Sequence, residues 1–298
     1  MFNFLVALLM LTTSSLVAMD GPLMAEEEVA LEQALSEMTE EEREKALLYL
    51  QLDWKKDGTY KFSDSNSTLS LPFGYRLLIG DEANKSLSLR GEPEEEFLEA
   101  IVYCDFSDDM IMFERSEKGY VTLEDWEEIK PKELLESIIK NTEKSNKTRF
   151  HNGVEEIHVL GWVKEPTLDK MTNTVYWAIE AQSDGDFFIN SVALKLGRES
   201  YETINWICSK DSYMSSAEHL DEMLRAHSFD PGFRYEDHTT DDKIAKLGIA
   251  ALVTASVGGK IIKAGGFLFF LKKIFGFVLA GLAAIFYKVK SFFGTKNK

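Results

Sequence analysis

The sequence predicts an α+β fold, in which an antiparallel sheet packs with helices, followed by a C-terminal hydrophobic helical membrane anchor. Three observations support this class. Residues 157–208 alternate short apolar segments with polar turns, which is typical of an antiparallel meander. Residues 134–150 and 217–226 have apolar side chains at helical spacing. Residues 244–287 contain no Asp or Glu and only Lys as charged side chains, which is typical of a segment that enters a membrane.

The meander has the clearest strand pattern in the chain. Its segments are rich in Val, Ile and aromatic residues, and turn signals such as Asp184-Gly185 separate them. The predicted strands are residues 158–163, 175–181, 187–196 and 201–208. The helix at residues 217–226 follows, and Asp230-Pro231-Gly232 ends it.

The first half of the domain is predicted to contain shorter strands. A polar turn around Ser65 separates strands at residues 59–62 and 68–71. The other predicted elements are a short helix from about Asp81, strands at residues 97–106 and 111–113, and the helix at residues 134–150. Two acidic helices, residues 26–38 and 40–52, precede the domain, and Thr39 with Glu42 matches a capping box. This arm is either a solvated helical face or a partner-binding stalk.

The membrane anchor is predicted at residues 244–291. A spanning helix needs about 20 mainly apolar residues, and a Lys at its centre costs roughly 2.5–3.5 kcal/mol. The best single span is therefore about residues 267–287, with the pair Lys272–Lys273 reaching towards an interface. Residues 244–266 would be a second span, a re-entrant segment or an interfacial helix. A buried hairpin of two core helices in a soluble protein is the alternative.

The amino end, residues 1–18, is predicted to be a signal peptide or an uncleaved N-terminal hydrophobic segment. Ala18 is small enough for a cleavage site, although no Lys or Arg precedes the apolar run. An exported domain and a Lys-rich tail that stays inside agree with the positive-inside rule. We therefore expect a bacterial membrane protein, in the inner membrane, with its soluble domain in the periplasm or outside the cell and its basic tail in the cytoplasm.

Charge divides the chain sharply. The net charge is −17, but the ten Lys from Lys243 onward leave 23 basic against 50 acidic side chains before them, a net charge of −27. Such an acidic surface repels phosphate backbones, so no nucleic-acid partner is expected. The predicted partners are the lipid bilayer and an envelope protein of unknown identity.

These patterns divide the chain into six predicted parts. They are the signal peptide or hydrophobic segment at 1–18, the acidic helical arm at 19–56, the extracytoplasmic α+β domain at 57–232, a linker at 233–243, the anchor at 244–291 and the basic tail at 292–298.

Four stretches of the chain together resemble one known family. They are LPFGYRLL, VLGWVKEPTLDKMTNTVYWAIE, NSVALKLGRESYETINW and YEDHTTDDKIAKLGIAALV. The family is a set of uncharacterised bacterial membrane-anchored proteins, domain of unknown function 2167, and the resemblance covers roughly Leu69 to Tyr287. It implies an extracytoplasmic, membrane-anchored protein and supplies no catalytic residues. More loosely, the order of elements is similar to the sandwich of the Mog1 and PsbP-like proteins, which bears on fold alone.

Few residues suggest chemistry. The five His form no metal-ligand motif, so ordinary surface positions are expected for them, and no Walker A loop, GxSxG or dinucleotide fingerprint occurs. Trp162, Tyr176 and Trp177 could line a ligand groove or belong to the core. Cys104 and Cys208 could form a disulfide or be two buried thiols.

No motif predicts catalysis or a cofactor. The sequence therefore favours a non-enzymatic binding or interaction domain tethered to a membrane. The alternative is a hydrolytic enzyme whose carboxylates and His come together only on folding.

Overall fold

The computed structural model describes residues 39–89, 94–104, 109–116, 119–151, 155–216, 218–254 and 256. The chain divides into two compact units, residues 1–52 with 267–298 and residues 53–266. The described part of the first unit contains helix α1 (Glu40–Leu50), which begins where the sequence predicts the second acidic helix. An ion pair between Lys45 and Glu41, one turn apart, supports it with an Nζ–Oε1 distance of 2.6 Å.

The second unit is an α+β domain. Its strands are β1 (Lys55–Phe62), β2 (Ser67–Ile79), β3 (Leu98–Cys104), β4 (Met110–Ser116), β5 (His158–Asp169), β6 (Thr174–Ser183), β7 (Asp186–Leu196), β8 (Tyr201–Ser209) and β9 (His227–Phe229). Its helices are α2 (Asp81–Leu89), α3 (Pro131–His151), α4 (Lys210–Ser216) and α5 (Glu218–Ala226). Short 3-10 turns lie at Trp126–Glu128 and Tyr235–Asp237.

Within the described residues the strands form one nine-stranded sheet, and every pairing in it is antiparallel. The strand order is β1-β2-β3-β4-β8-β7-β6-β5, and β9 pairs with the beginning of β2. The predicted antiparallel sheet packed with helices is thus confirmed. The turn between β6 and β7 has positive φ angles at both Asp184 (48°) and Gly185 (89°), as a two-residue Asp-Gly hairpin turn requires.

Both faces of the sheet are buried in its centre. One face carries the main apolar core, where Phe113 and Trp206 are fully buried and Leu220 and Met223 of α5 pack over them. Helix α3 packs against β5, which is the edge strand at the opposite end of the sheet from β1. Because β8 lies in the middle of the sheet, eight of its nine residues are buried, whichever way their side chains point.

The domain continues beyond its predicted end. Residues 233–243 were predicted as a linker, and residue 244 as the start of the anchor. Instead, Ile244 forms a parallel bridge with Tyr120, and the Ile249 amide donates to the Thr122 carbonyl oxygen at 3.1 Å. Some apolar residues of this stretch pack against the domain, where Ile249 and Val253 are completely buried, whereas Ile244 and Leu247 are 49% and 47% exposed. Apolar composition alone does not distinguish a buried edge of a domain from the start of a membrane segment.

Along the part of the chain that the structure describes, no helix is both long enough and apolar enough to span a bilayer. The predicted span at 267–287, the signal peptide at 1–18 and the first acidic helix at 26–38 all lie outside the described residues.

Candidate functional site

A cavity of about 400 Å³ lies in the added C-terminal part of the domain. Its described lining combines five apolar or aromatic residues with two cations: Val121, Tyr201, Lys243, Ala245, Lys246, Leu247 and Leu252. Val121, Tyr201 and Leu252 are buried, whereas the two Lys and Leu247 are exposed. The cavity is therefore apolar inside and positively charged at its surface. Its volume lies within the range of small-molecule sites, roughly 300–1,000 Å³.

Backbone hydrogen bonds fix the wall that carries the lysines. The Tyr120 amide donates to the Lys243 carbonyl oxygen at 2.8 Å, and the Ala245 amide donates to the Tyr120 carbonyl oxygen at 2.8 Å. Gly119 lets the two segments approach, because a Cβ atom there would lie 2.5 Å from the Lys243 carbonyl oxygen and its φ is +95°. The lysines thus stand on a segment that is held in register, not on a loose tail.

An aromatic stack supports the same wall from the side. The Tyr120 ring stacks on His238 with ring centroids 3.7 Å apart, and on Tyr235 with centroids 4.5 Å apart. The Tyr235 hydroxyl donates to the carbonyl oxygen of Val121, a cavity residue, at 2.8 Å. The turn that leads to Lys243 is therefore tied to the wall of the cavity.

Asp242 organises that turn. Arg198 donates to both its carboxylate oxygens, each at 2.7 Å, and the Thr239 amide donates to Oδ2 at 2.7 Å. The Arg198 hydrogen bond and the Thr239 amide hold the pKa of Asp242 well below its ordinary value. His238 Nδ1 lies 3.2 Å from the same carboxylate. Arg198 and the Thr239 amide thus largely compensate the negative charge of Asp242, so the Lys243 ammonium is not needed to hold the turn together.

A second cluster of charged residues is buried in the core. The side chains of His227 and Glu202 are 0% exposed, and His227 Nε2 lies 2.6 Å from Glu202 Oε2. The Ser67 hydroxyl donates to Glu202 Oε1 at 2.6 Å, and Ser67 Oγ lies 2.9 Å from Ser65 Oγ. The Ser65 amide donates to Glu99 Oε1 at 2.9 Å. The cluster therefore joins the β1–β2 turn, β3, β8 and β9.

The two buried carboxyls titrate in opposite directions. Burial, together with the negative charge of Glu202, raises the pKa of Glu99 to about 8. Burial would also raise the pKa of Glu202, but the charge of His227 and hydrogen bonds from His227, Ser65 and Ser67 outweigh it and lower the value to about 2. Glu99 is thus the neutral member of the pair and Glu202 the charged one.

Lys195 extends this cluster to helix α5. Its ammonium donates to the carbonyl oxygens of Leu224, at 2.6 Å, and of His227. Burial lowers its pKa to about 8, although the charge of Glu202 opposes that change. A cation at the C-terminal end of a helix satisfies carbonyls that have no partner within the helix. With no opening to solvent at His227 or Glu202, we assign this cluster to structure and not to ligand binding.

The three aromatic residues predicted to line a groove do not share one face. Trp162 pairs with Ile179 across β5 and β6, so it lies on the same face as Trp177. Trp177 is completely enclosed, at 1% exposure, and Trp162 donates from Nε1 to the Pro131 carbonyl oxygen at 3.1 Å. Tyr176 points to the opposite face, where Lys164 lies over its ring at 4.4 Å. Ligand binding at these residues stays a prediction.

Cys104 and Cys208 are both buried thiols, and no disulfide joins them. β4 lies between their strands, which places them two strand spacings apart, roughly 10 Å. A disulfide needs Cα atoms less than about 7 Å apart, so the sheet geometry excludes the bond that the sequence had left open.

The expectation that the histidines lie at the surface is wrong for His227. No periodic pattern marks a three-residue strand directly after α5, so the burial of His227 was not predicted. Glu202 could have been found, because it alternates with Ile204 and Trp206 on the core face of β8. Ser65, expected in an exposed turn, is only 3% exposed. Among the described residues, no group of His, Cys, Asp or Glu could hold a metal ion.

Comparison with known proteins gives a family but no activity. The family model described as "Protein of unknown function (DUF2167)" matches residues 54–286. No curated protein matches the chain.

Three solved structures are similar to the chain at low scores. Cyanobacterial PsbP (CyanoP) from Synechocystis sp. PCC 6803 has 10% identity and a TM-score of 0.38, and the match covers 60% of this chain and 94% of that one. A protein from Bacteroides thetaiotaomicron VPI-5482 has 9% identity and a TM-score of 0.34, and the match covers 59% of this chain and 49% of that one. The Saccharomyces cerevisiae Ran-binding protein Mog1p has 12% identity and a TM-score of 0.26, and the match covers 60% of this chain and 96% of that one. Scores this low support no inference about function.

Proposed function

This chain belongs to the DUF2167 family of proteins of unknown function, and we propose that it is a membrane-anchored, extracytoplasmic binding protein whose ligand occupies the cavity beside Lys243 and Lys246. The observation that carries the proposal is the cavity itself, with its apolar interior and two exposed ammonium groups. The buried cluster around His227, by contrast, has no access for a ligand, because His227 and Glu202 are both 0% exposed.

Native mass spectrometry of the full chain, released gently from membranes, tests whether the cavity binds a small molecule. We expect a bound molecule on the wild-type protein and its loss in Ala245→Trp, because the indole takes up space in the cavity that the ligand needs. Met171→Trp, at a 94% exposed position in another part of the domain, is the control and should retain the molecule. A wild-type protein that never carries a small molecule, or an Ala245→Trp variant that keeps it, contradicts the proposal.

The membrane topology rests on the apolar amino end and on the Lys-rich tail without acids. We expect an impermeant thiol reagent to label Met171→Cys in intact cells and to leave Asn297→Cys unlabelled. Met171 is a suitable reporter position in the domain because its side chain is 94% exposed, whereas Ser65 in the β1–β2 turn is buried. The native cysteines are buried too, so the wild-type chain gives the background. Labelling at both positions would mean two crossings, and labelling at Asn297→Cys alone would overturn the topology.

A hydrolytic function is the second candidate, and the pair of His238 and Asp242 is the observation that favours it. His238 Nδ1 contacts the Asp242 carboxylate near the surface, as in the orienting half of a hydrolase triad. A hydrolase screen on one purified preparation should then find an activity that His238→Ala removes and His158→Ala retains. Activity in neither the wild type nor the variants, or activity that survives His238→Ala, rejects this candidate.

A further inference from the structure

We propose that the cavity ligand is a single-chain amphiphile with an anionic head group, such as a fatty carboxylate, held with its head between Lys243 and Lys246 and its chain against Val121, Tyr201 and Leu252. This inference rests on the binding function proposed above and adds the chemical class of the ligand.

Charge selects the head group. Lys243 and Lys246 are the charged residues in the described lining of the cavity, and both are exposed. In the part of the chain that the structure describes, no ion pair or side-chain hydrogen bond holds either ammonium group. Nearby Asp242 is already engaged by Arg198 and Thr239. In a domain whose surface is strongly acidic, two adjacent cations with no internal role favour an anionic ligand.

The apolar walls select the rest of the ligand. Val121 and Leu252 present only hydrocarbon, and the Tyr201 ring adds an aromatic wall. Burial raises the pKa of Tyr201, which keeps its phenol neutral, so this wall adds no negative charge that would repel an anion. A polar ligand such as a sugar phosphate would leave its hydroxyl groups without partners against these walls, which is costly.

The volume of the cavity matches one acyl chain. A methylene group fills about the volume of a water molecule, about 30 Å³. A cavity of about 400 Å³ therefore holds roughly a dozen such groups, enough for one medium-length acyl chain. Each methylene that leaves water adds to the free energy of binding, so a chain of this length supplies a driving force for binding.

The position of the cavity in the chain indicates that the ligand would come from the membrane. Residues 243–252 supply most of the cavity wall and directly precede the apolar residues that form the proposed anchor. A domain held there would keep the cavity within a short distance of the bilayer surface, where single-chain anionic lipids are concentrated.

Photocrosslinking in native membranes tests the ligand class with the full chain. The probes are dodecanoic acid and 1-dodecanol, each carrying the same mid-chain diazirine, so they differ only in the charge of the head group. Unlabelled compound competes, and digestion maps the crosslinks. We expect the acid to label the peptide that contains Lys243 to Leu252 with about tenfold higher apparent affinity than the alcohol. Raising the salt concentration should narrow that difference, because salt screens exposed charges.

Variants separate the two levels of the proposal. Lys243→Gln with Lys246→Gln should remove the preference for the acid and leave labelling by the alcohol unchanged. Lys132→Gln with Lys140→Gln, two exposed lysines on α3, changes the net charge equally and should have no effect. Ala245→Trp should abolish labelling by both probes.

The outcomes distinguish the two claims. Equal labelling by acid and alcohol in the wild type overturns the anionic ligand while the binding function stands. Absence of specific labelling by either probe, together with a wild-type chain that carries no small molecule, overturns both. Labelling that Ala245→Trp leaves intact places the lipid outside this cavity and overturns the inference.

Discussion

Replacement of His227 by alanine is expected to lower the free energy of unfolding by about 3–5 kcal/mol, the usual cost of removing one partner of a buried ion pair. His227 and Glu202 are both fully enclosed, so the variant leaves a buried carboxyl group without the imidazole that lies 2.6 Å from it. The ring also fills space between aromatic neighbours, with centroids 5.7 Å from Phe113 and 5.7 Å from Phe229. Urea unfolding of the full chain in detergent, followed by tryptophan fluorescence, measures the change.

Two comparisons separate charge from packing. His158 contacts Glu143 and Glu156 at the surface, and His158→Ala should cost less than about 1 kcal/mol because exposed pairs contribute little. Joint replacement of His227 and Glu202 by leucine should cost clearly less than the sum of the single leucine variants, because no lone charge is left buried. A loss below 1 kcal/mol for His227→Ala would show that the ion pair is not important to stability.

Stability is expected to fall as the pH rises from about 5 to about 8, and Glu99 is the cause. Its pKa in the folded chain is raised from an ordinary value of 4.5 to about 8, chiefly by burial. Between these values the folded chain keeps a proton that the unfolded chain has lost, so a rising pH favours unfolding. One pKa unit corresponds to about 1.4 kcal/mol, and we expect a loss of about 2–4 kcal/mol across this window.

Glu99→Gln isolates the effect, since glutamine mimics the neutral carboxyl. The variant should match the wild type near pH 5 and be more stable than it at pH 8. Glu165→Gln, at an exposed position, should follow the wild type at both pH values. Other groups titrate as well, including Lys195, whose pKa is lowered to about 8, but they are common to all three proteins. A wild type and a Glu99→Gln variant with parallel pH profiles would show that Glu99 is not the buried neutral acid.

Most of the fold could be predicted from the apolar patterns of the strands and from the residues in the turns. Strands β6 to β8 were predicted to within two residues, because each has enough alternating or continuous apolar residues and each turn has its own signal. β5 was predicted to end at residue 163 but runs to Asp169. β9 was missed because three residues after a helix contain no periodicity. β2 was predicted to end at residue 71 but runs to Ile79, since LPFGYRLL contains a Pro and a Gly that usually interrupt strands.

The candidate site was less accessible to sequence reasoning. Lys243 was assigned to a linker and Lys246 to the membrane anchor, and nothing local shows that a distant segment around Tyr120 holds them beside a cavity. Similarly, Glu202 and His227 are 25 positions apart and meet only because β9 returns to β2. Sequence spacing detects sites within one element, whereas both of these clusters depend on contacts between elements far apart in the chain.

The return of β9 to β2 also sets the order in which the domain can fold. Thr68 Oγ1 donates to Asp230 Oδ1 across a separation of 162 residues, and Ser67 reaches Glu202 across 135. Contacts between residues so far apart in the sequence form slowly, because a long loop must close before they can stabilise the fold. The hairpins of the meander, in contrast, are local. The pairing of β9 with β2 therefore waits until almost the whole domain has been synthesised. During synthesis the domain would thus remain incompletely folded until β9 emerges and pairs with β2.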